Sequence, residues 1–170
     1  RLAAIENFGS MDFFCTDKTG TLTEGVVRLD GAFDVEGQSS KSVLRYAYLN
    51  SHYQTGLNNP LDEAIKASAE QAGLQIGTDQ KVNEIPYDFV RKRLSVIVSN
   101  PEGKDTLITK GALEQILSIC ISVQSDNKAN PLDGAIRADI EKRYSDWSGQ
   151  GFRVLGLATK QIDNKSSSYS

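Results

Sequence analysis

The sequence has few of the residues that mark disulfide-rich, zinc-binding or histidine-dependent proteins. Its two cysteines, Cys15 and Cys120, are far apart and form no CxxC pair, which argues against a disulfide framework and a zinc site and favours a reducing cytoplasm. The one histidine, His52, has no second ligand or nucleophile beside it in the sequence. We therefore expect neither metal binding nor acid–base catalysis at His52.

Long hydrophobic runs and an excess of basic charge are also absent. Stretches such as Leu155 to Ala158 fall far short of the roughly 20 residues that cross a bilayer. The net charge of -3, from 19 basic and 22 acidic residues, gives no reason to expect binding to nucleic acid or to an anionic membrane surface. The opening RLAAIENFG has no signal-peptide pattern and begins with Arg1, so we expect a segment of a longer protein.

The chain contains enough apolar residues to form a hydrophobic core. With 170 residues, 39% hydrophobic and 24% charged, it fits a soluble globular domain, alone or with a fragment of another.

The pattern of the first 75 residues predicts two strands followed by two helices. Met11 to Thr16 is a short apolar run typical of a buried strand, and Val26 to Val35 alternates weakly as a second strand would. Serines before residue 43 offer a helix cap, which predicts a helix over about 40–52. After the loop QTGLNNP, Pro60 opens a helix that ends near Gly73.

The remainder predicts an antiparallel meander with further helices. The predicted strands are Val82 to Pro86, Leu94 to Val98, Asp105 to Thr109 and Phe152 to Ile162. The predicted helices are Ala112 to Cys120 and one from Leu132-Asp133 to about Trp147. The tail 163–170 is polar and expected to be disordered. The fold class expected is therefore α/β of the α+β kind, an antiparallel twisted sheet flanked by helices.

The stretch CTDKTGTLT, at the end of the first predicted strand, carries a distinct chemical possibility. Asp17 lies where open α/β sheets place their ligands, and its carboxylate can act as a nucleophile. Attack on a phosphoryl group requires cations, which calls for Mg²⁺ held by carboxylate and carbonyl oxygens, with Lys18 adding charge. Thr19, Gly20 and Thr21 can approach and hydrogen-bond phosphate oxygens.

The string DKTGTLT is identical to the phosphorylation signature of the P-type ion-pumping ATPases, and the chain resembles that family. The resemblance implies that Asp17 becomes an aspartyl-phosphate, with Lys18 and Thr19 beside it and Mg²⁺ at Asp17 and Thr19 in an incomplete site. It further implies that residues 1–24 are a fragment of a haloacid-dehalogenase-like phosphorylation domain. Residues 25–162 are then the nucleotide-binding domain, followed by the tail 163–170.

The resemblance also assigns an adenine site and a phosphate site. KGA resembles the family's nucleotide-pocket motif and assigns Lys110 and Gly111. IPYDFVRKRLSV resembles the stretch that stacks an aromatic ring on adenine, which assigns Tyr87, with Phe89 as second choice. Phenylalanine is usual where this chain has Tyr87. The middle basic position of the same stretch, Lys92, is assigned to the nucleotide.

Two further segments complete the assigned pocket. NPLDEAI resembles the segment whose acidic side chain accepts a hydrogen bond from the adenine amino group, which assigns Asp62, although a carboxylate there also suits a helix first turn. GFRVLGLATK resembles the last strand of the nucleotide-binding domain, where Arg153 would contact phosphates and Leu155 would line the pocket.

The function implied is ATP binding in the cytoplasmic part of a bacterial inner-membrane cation pump. NSHYQTG is similar to the magnesium-transporting subgroup. The expected partners are ATP, the rest of the phosphorylation domain, the actuator domain and the transmembrane helices, with no nucleic acid and no direct membrane contact. The family's later catalytic motifs are not in this chain, so we expect it to bind ATP weakly and neither to hydrolyse it nor to phosphorylate itself.

Two alternatives are open at this point. The first is a haloacid-dehalogenase-type phosphatase with a cap domain, which usually has a second aspartate where this chain has Thr19. The second is a nucleotide-sensing module without turnover.

Overall fold

The computed structural model describes residues 26–56, 59–125 and 128–162. The predicted strand Met11 to Thr16, the motif DKTGTLT and the tail 163–170 lie outside these residues, and so does part of the loop QTGLNNP.

Two helices follow an irregular opening segment, as the capping signals predict. α1 runs Lys41–Tyr53, and the hydroxyl of Ser40 accepts a hydrogen bond from the backbone N–H of Val43 at its start. α2 runs Pro60–Gln71 with proline in its first turn, where the missing N–H costs nothing. Both predicted helices are confirmed.

The four longer strands form one antiparallel sheet in the order β1-β2-β3-β6. β1 is Gln80–Asp88, β2 is Arg93–Ser99, β3 is Asp105–Ala112 and β6 is Leu155–Ile162. All three pairings are antiparallel, so the predicted meander and the last strand are confirmed.

The segment between β3 and β6 differs from the prediction. Its elements are α3 (Leu113–Leu117), β4 (Ser122–Ser125), β5 (Lys128–Pro131) and α4 (Gly134–Gly149). α3 is shorter than the helix predicted to Cys120, because β3 extends to Ala112 and the chain then turns into a β4–β5 hairpin. The hairpin was not predicted. Its strands are four residues each and mostly exposed, so no apolar alternation marks them.

The strand predicted over Val26 to Val35 is wrong. Within these residues the one β contact is an isolated bridge between Phe33 and Ser39. The carboxylate of Asp34 accepts hydrogen bonds from the backbone N–H groups of Glu36 and Gln38, both 2.9 Å, which bends the chain into a turn. No described strand lies beside residues 26–32 to complete a ladder.

Helices cover both faces of the sheet. On one face Leu49 of α1 packs with Val96, Val98 and Ile108, and Leu157 of β6 joins this cluster. Gly156 immediately precedes Leu157 in β6, and a Cβ on it would meet Ile116 of α3 at 2.9 Å. Successive strand residues point to opposite faces, so α3 lies on the face away from α1. Its Leu117 forms a second cluster with Val123 and Ile140.

Gly111 is required by the close approach of the β1–β2 turn to β3, and we predict that Gly111→Ala destabilises the fold. A Cβ on Gly111 would lie 2.4 Å from the carbonyl oxygen of Lys92 and 2.6 Å from Cβ of Arg93. Backbone must shift to admit it, at an expected cost of about 1–3 kcal/mol in the free energy of unfolding, measured by urea denaturation.

Gly134 is the matched control for this substitution. It lies at the start of α4 and a Cβ there meets nothing within 4 Å. Gly134→Ala should be neutral or stabilising by up to about 1 kcal/mol. Equal effects of the two substitutions would contradict the steric explanation.

Candidate functional site

Strand register brings most of the sequence-assigned residues to one end of the sheet. Asp88 pairs with Arg93, Arg93 pairs with Gly111, and Ala112 pairs with Leu155. The end of β1, the start of β2, the end of β3 and the start of β6 therefore lie side by side. The assigned residues found at this end are Tyr87, Phe89, Lys92, Lys110, Gly111, Arg153 and Leu155.

A tight turn between β1 and β2 presents the two assigned aromatic residues. The Asp88 carboxylate accepts hydrogen bonds from the backbone N–H groups of Arg91 (2.7 Å) and Val90 (2.8 Å), and these lower the pKa of Asp88. The rings of Tyr87 and Phe89 meet edge to face with centroids 5.3 Å apart. They are 47% and 79% exposed, so both offer ring surface to a ligand.

Two exposed cations lie at this end of the sheet, Lys92 in the turn itself and Arg153 just before β6. Lys92 has a left-handed backbone conformation (φ 49°), and its carbonyl oxygen accepts a hydrogen bond from the N–H of Ala112 at 3.1 Å. Arg153 lies two residues before β6 and is also exposed. No ion pair of either side chain occurs within the described part of the chain. Both are therefore available to an anionic ligand.

Asp62 and Lys110 form a buried ion pair. Nζ of Lys110 donates to Oδ1 of Asp62, with the side chains 7% and 4% exposed for Lys110 and Asp62 respectively. The hydroxyl of Ser51 donates to the same Oδ1 at 2.7 Å and accepts from Nζ of Lys110 at 2.8 Å. Nε2 of Gln54 donates to Oδ2 of Asp62 at 3.2 Å. Four side chains from α1, its C-terminal cap, α2 and β3 thus form one network.

Burial of Lys110 and its pairing with Asp62 shift the pKa of Lys110 in opposite directions. Burial lowers the pKa of Lys110 below its ordinary value, and the hydrogen bond and charge of Asp62 oppose this. Because an ammonium group in a dry interior is costly without a counter-ion, the carboxylate of Asp62 is what makes this position tolerable for lysine.

Sequence reasoning missed Ser51 and Gln54. They stand three residues apart at the end of α1, so both face α2 and reach the two oxygens of Asp62. Both belong to NSHYQTG, which the sequence analysis used only as a subgroup signature. His52, between them, instead packs edge to face on Tyr53 at 4.9 Å.

Several assigned groups are not brought together. Among the described residues, no ring contact, hydrogen bond or ion pair joins the Tyr87–Phe89 pair to the Asp62–Lys110 pair. A cavity of about 650 Å³ lies along β6 between α1 and α4, and Leu155 alone of the assigned residues lines it. None of the assigned charged groups lines this cavity, so the candidate site is the end of the sheet at which the assigned residues converge.

The assigned phosphorylation residues Asp17, Lys18 and Thr19 lie outside the described residues. Over the described ranges, no cluster of three or more histidine, cysteine, aspartate or glutamate side chains could hold a metal ion. None of the helices in these ranges has the length and hydrophobicity of a membrane span.

We predict that Asp62→Ala strongly destabilises the protein, because it leaves the Lys110 ammonium buried without its carboxylate. The expected loss is about 3–5 kcal/mol in the free energy of unfolding, measured by urea denaturation near pH 7. The double variant Asp62→Ala/Lys110→Met should recover much of this loss, because it removes both charges.

Glu63 provides the control on the next position of α2. It pairs with Lys66 at 2.6 Å, but its side chain is 63% exposed. Glu63→Ala should change stability by less than about 1 kcal/mol, as exposed pairs do. A loss at Asp62 no larger than at Glu63 would refute the role assigned to the buried pair.

Comparison with known proteins is consistent with this geometry. Residues 40–170 match the family model described as P-type ATPase, cytoplasmic domain N. Magnesium-transporting ATPases, P-type 1, of Escherichia coli K12 and Salmonella typhimurium LT2 are each 42% identical over 170 residues, or 99% of this chain and 19% of theirs. The plasma membrane ATPase of Zygosaccharomyces rouxii is 32% identical over 164 residues, 95% of this chain and 17% of its own length.

The chain spans about a fifth of the length of these curated relatives. Because the family match extends over most of its residues, the chain belongs to the P-type ATPase family.

Proposed function

We propose that residues 25–162 form the nucleotide-binding domain of a P-type cation pump and bind ATP at the end of the sheet described above. The observation that supports this most is convergence. Residues assigned separately, from four segments spread between positions 62 and 155, meet at or beside one end of one sheet. The family match and the exposed aromatic and cationic groups there point the same way.

In this proposal the adenine ring stacks on Tyr87, with Phe89 beside it. Both rings are exposed, and the two hydrogen bonds to Asp88 already fix the backbone of the turn, which lowers the ordering cost of stacking. The adenine amino group donates to Asp62. An ionised carboxylate has about four acceptor positions, and the described residues use two on Oδ1 and one on Oδ2. One acceptor position on Oδ2 is therefore available to the amino group.

The phosphates meet the cations of the same region. Lys92 and Arg153 are exposed and form no ion pair within the described ranges. The guanidinium group of arginine can donate hydrogen bonds to two phosphate oxygens at once. Lys110 adds a fixed positive charge beneath them, while Leu155 contributes apolar lining. Gly111 is already in close contact with the Lys92 carbonyl, so its proposed role is to let this turn approach rather than to contact phosphate itself.

In the parent protein, we propose that ATP phosphorylates Asp17. Residues 1–24 would belong to a haloacid-dehalogenase-like phosphorylation domain, with Lys18 and Thr19 beside the aspartate and Mg²⁺ held at Asp17 and Thr19. Mg²⁺ would neutralise phosphate charge during transfer. The actuator domain and transmembrane helices would be supplied by the rest of the protein, in the bacterial inner membrane, with Mg²⁺ as the transported ion. The names of the relatives at 42% identity support that choice of ion.

The alternatives have less support. A phosphatase with a cap domain would place an aspartate where Thr19 stands, and a match to domain N over residues 40–170 is not expected of such a cap. A nucleotide-sensing module without turnover has no observation of its own in its favour.

We predict that Tyr87→Ala and Arg153→Gln each weaken ATP binding by the 170-residue chain. Loss of an aromatic stacking surface is worth about 1–3 kcal/mol, or roughly 5- to 150-fold in Kd, and Arg153→Gln should cost about tenfold through lost phosphate contacts. NMR titration with ATP, with and without Mg²⁺, measures both. Because both side chains are exposed, the variants should remain folded.

Matched controls come from the opposite end of the sheet. Val82→Ala removes an exposed apolar side chain from β1, and Lys104→Gln removes an exposed cation from the β2–β3 turn. Both should bind ATP as the wild type does. If the controls and the test variants lose equal affinity, or none of them loses any, the assigned pocket is wrong.

We also predict that the 170-residue chain does not phosphorylate itself. The family's later lysine and paired aspartates are absent from this sequence, so Asp17 lacks the groups that complete its Mg²⁺ site. Incubation with γ-labelled ATP and Mg²⁺ should leave no acid-stable label on the protein. Labelling that disappears in Asp17→Asn would overturn this prediction.

A further inference from the structure

We propose that Ser51 is a positioning residue for the nucleotide site, orienting the Asp62 carboxylate and the Lys110 ammonium toward the ligand through its single hydroxyl. This inference rests on the proposed ATP site and adds a residue to it. Ser51 lies on α1, outside every segment from which the sequence analysis assigned a nucleotide-binding residue.

The geometry is a closed triangle of three polar atoms. Oγ of Ser51 donates to Oδ1 of Asp62 at 2.7 Å and accepts from Nζ of Lys110 at 2.8 Å, while Nζ also donates to the same Oδ1. Ser51 is 3% exposed, so water does not readily substitute for its hydroxyl. A hydroxyl can donate and accept at once, which lets one side chain hold both charged groups.

Within this triangle, Lys110 and Asp62 each keep one hydrogen-bonding position that no described residue occupies. Lys110 has three donors, of which the described contacts occupy two, and Asp62 keeps an acceptor position on Oδ2. The pair can therefore give one hydrogen bond and accept one without separating. Separation would cost far more, because each charge would lose its counter-ion in a buried place.

Without Ser51 the two groups are expected to reorient. Lys110 would lose its neutral acceptor, so its ammonium would depend on Asp62 alone, and the carboxylate would rotate toward Gln54 and the lysine. The acceptor position on Oδ2 that would bind the ligand is then occupied by the ammonium group of Lys110. Nucleotide affinity falls even though the ion pair itself persists.

Ser51 should also govern the pH at which binding fails. The charged groups that act on Lys110 are Asp62 and Lys66, both on α2, and Ser51 of α1 is neutral. The cross-strand neighbours of Lys110, Leu94 on β2 and Leu157 on β6, are apolar. Removing the hydroxyl takes away a group that favours the protonated amine, so Lys110 loses its proton at a lower pH. A serine that served only helix packing, without a hydrogen bond to Nζ of Lys110, would not change this titration; the link to the nucleotide is tested by the affinity measured over the same pH range.

The test compares wild type, Ser51→Ala and Ser51→Thr in the 170-residue chain. ATP affinity is measured calorimetrically from pH 7 to pH 10, and the side-chain ¹³Cε resonance of Lys110 is followed without nucleotide over the same range. We expect Ser51→Ala to bind about tenfold more weakly at pH 7 and to lose binding at a lower pH, with Lys110 titrating earlier. Ser51→Thr, which keeps the hydroxyl, should recover most of the affinity and the wild-type pH profile.

Ser42→Ala is the control for serine removal on the same helix. Ser42 is exposed and its hydroxyl contacts that of Ser40 at 2.9 Å, far from the ion pair along α1. It should not change ATP binding.

The outcomes separate this inference from the proposed function. If the wild type binds ATP and Ser51→Ala binds equally well with the same pH profile, the role of Ser51 is refuted and the ATP site stands. An affinity loss that Ser51→Thr does not restore, with an unchanged Lys110 titration, also refutes it in favour of general destabilisation. If the wild type binds no ATP, the proposed function fails and the role of Ser51 in binding fails with it.

Discussion

The buried ion pair between Asp62 and Lys110 is the interaction on which the site depends. A carboxylate on α2 and an ammonium on β3 neutralise each other where water scarcely reaches, and Ser51 of α1 joins them. Neither charge could stay buried alone, since each would carry several kcal/mol of unrecovered desolvation. The two helices and the sheet are therefore held in one relative placement by a contact between the same groups that we propose bind the nucleotide.

The rest of the site is arranged around this pair by strand register. Antiparallel pairing puts the end of β1 beside the start of β2, and the end of β3 beside the start of β6. The Asp88 turn then exposes two aromatic rings just before Lys92, and Lys110 of the buried pair lies at the same end of the sheet on β3. Exposed rings and cations suit the flat base and the solvated phosphates of a nucleotide. Buried, hydrogen-bonded groups suit discrimination between donors and acceptors on the base edge.

Local signals predicted the regular elements well where they were strong. Ser40, Asn59 and Asp133 each cap the helix that follows them, and the apolar run of β2 is buried on both faces of the sheet. The β4–β5 hairpin was missed because its short polar strands form by pairing with each other and present no apolar face. Residues 26–35 were predicted as a strand from weak alternation, which is insufficient without a neighbouring strand to bond with.

The amino-acid sequence alone is sufficient to identify the DKTGTLT motif, the aromatic, basic and KGA segments, and the resemblance to P-type ATPases that the family match confirms. These are local strings, and their residue types can be read without a fold. The folded arrangement is needed to show that Asp62 and Lys110, 48 positions apart, neutralise each other, and that Ser51 completes their contact. Such pairing arises from the packing of α1 and α2 on the sheet, and no periodicity or spacing along the chain encodes which buried polar groups will meet.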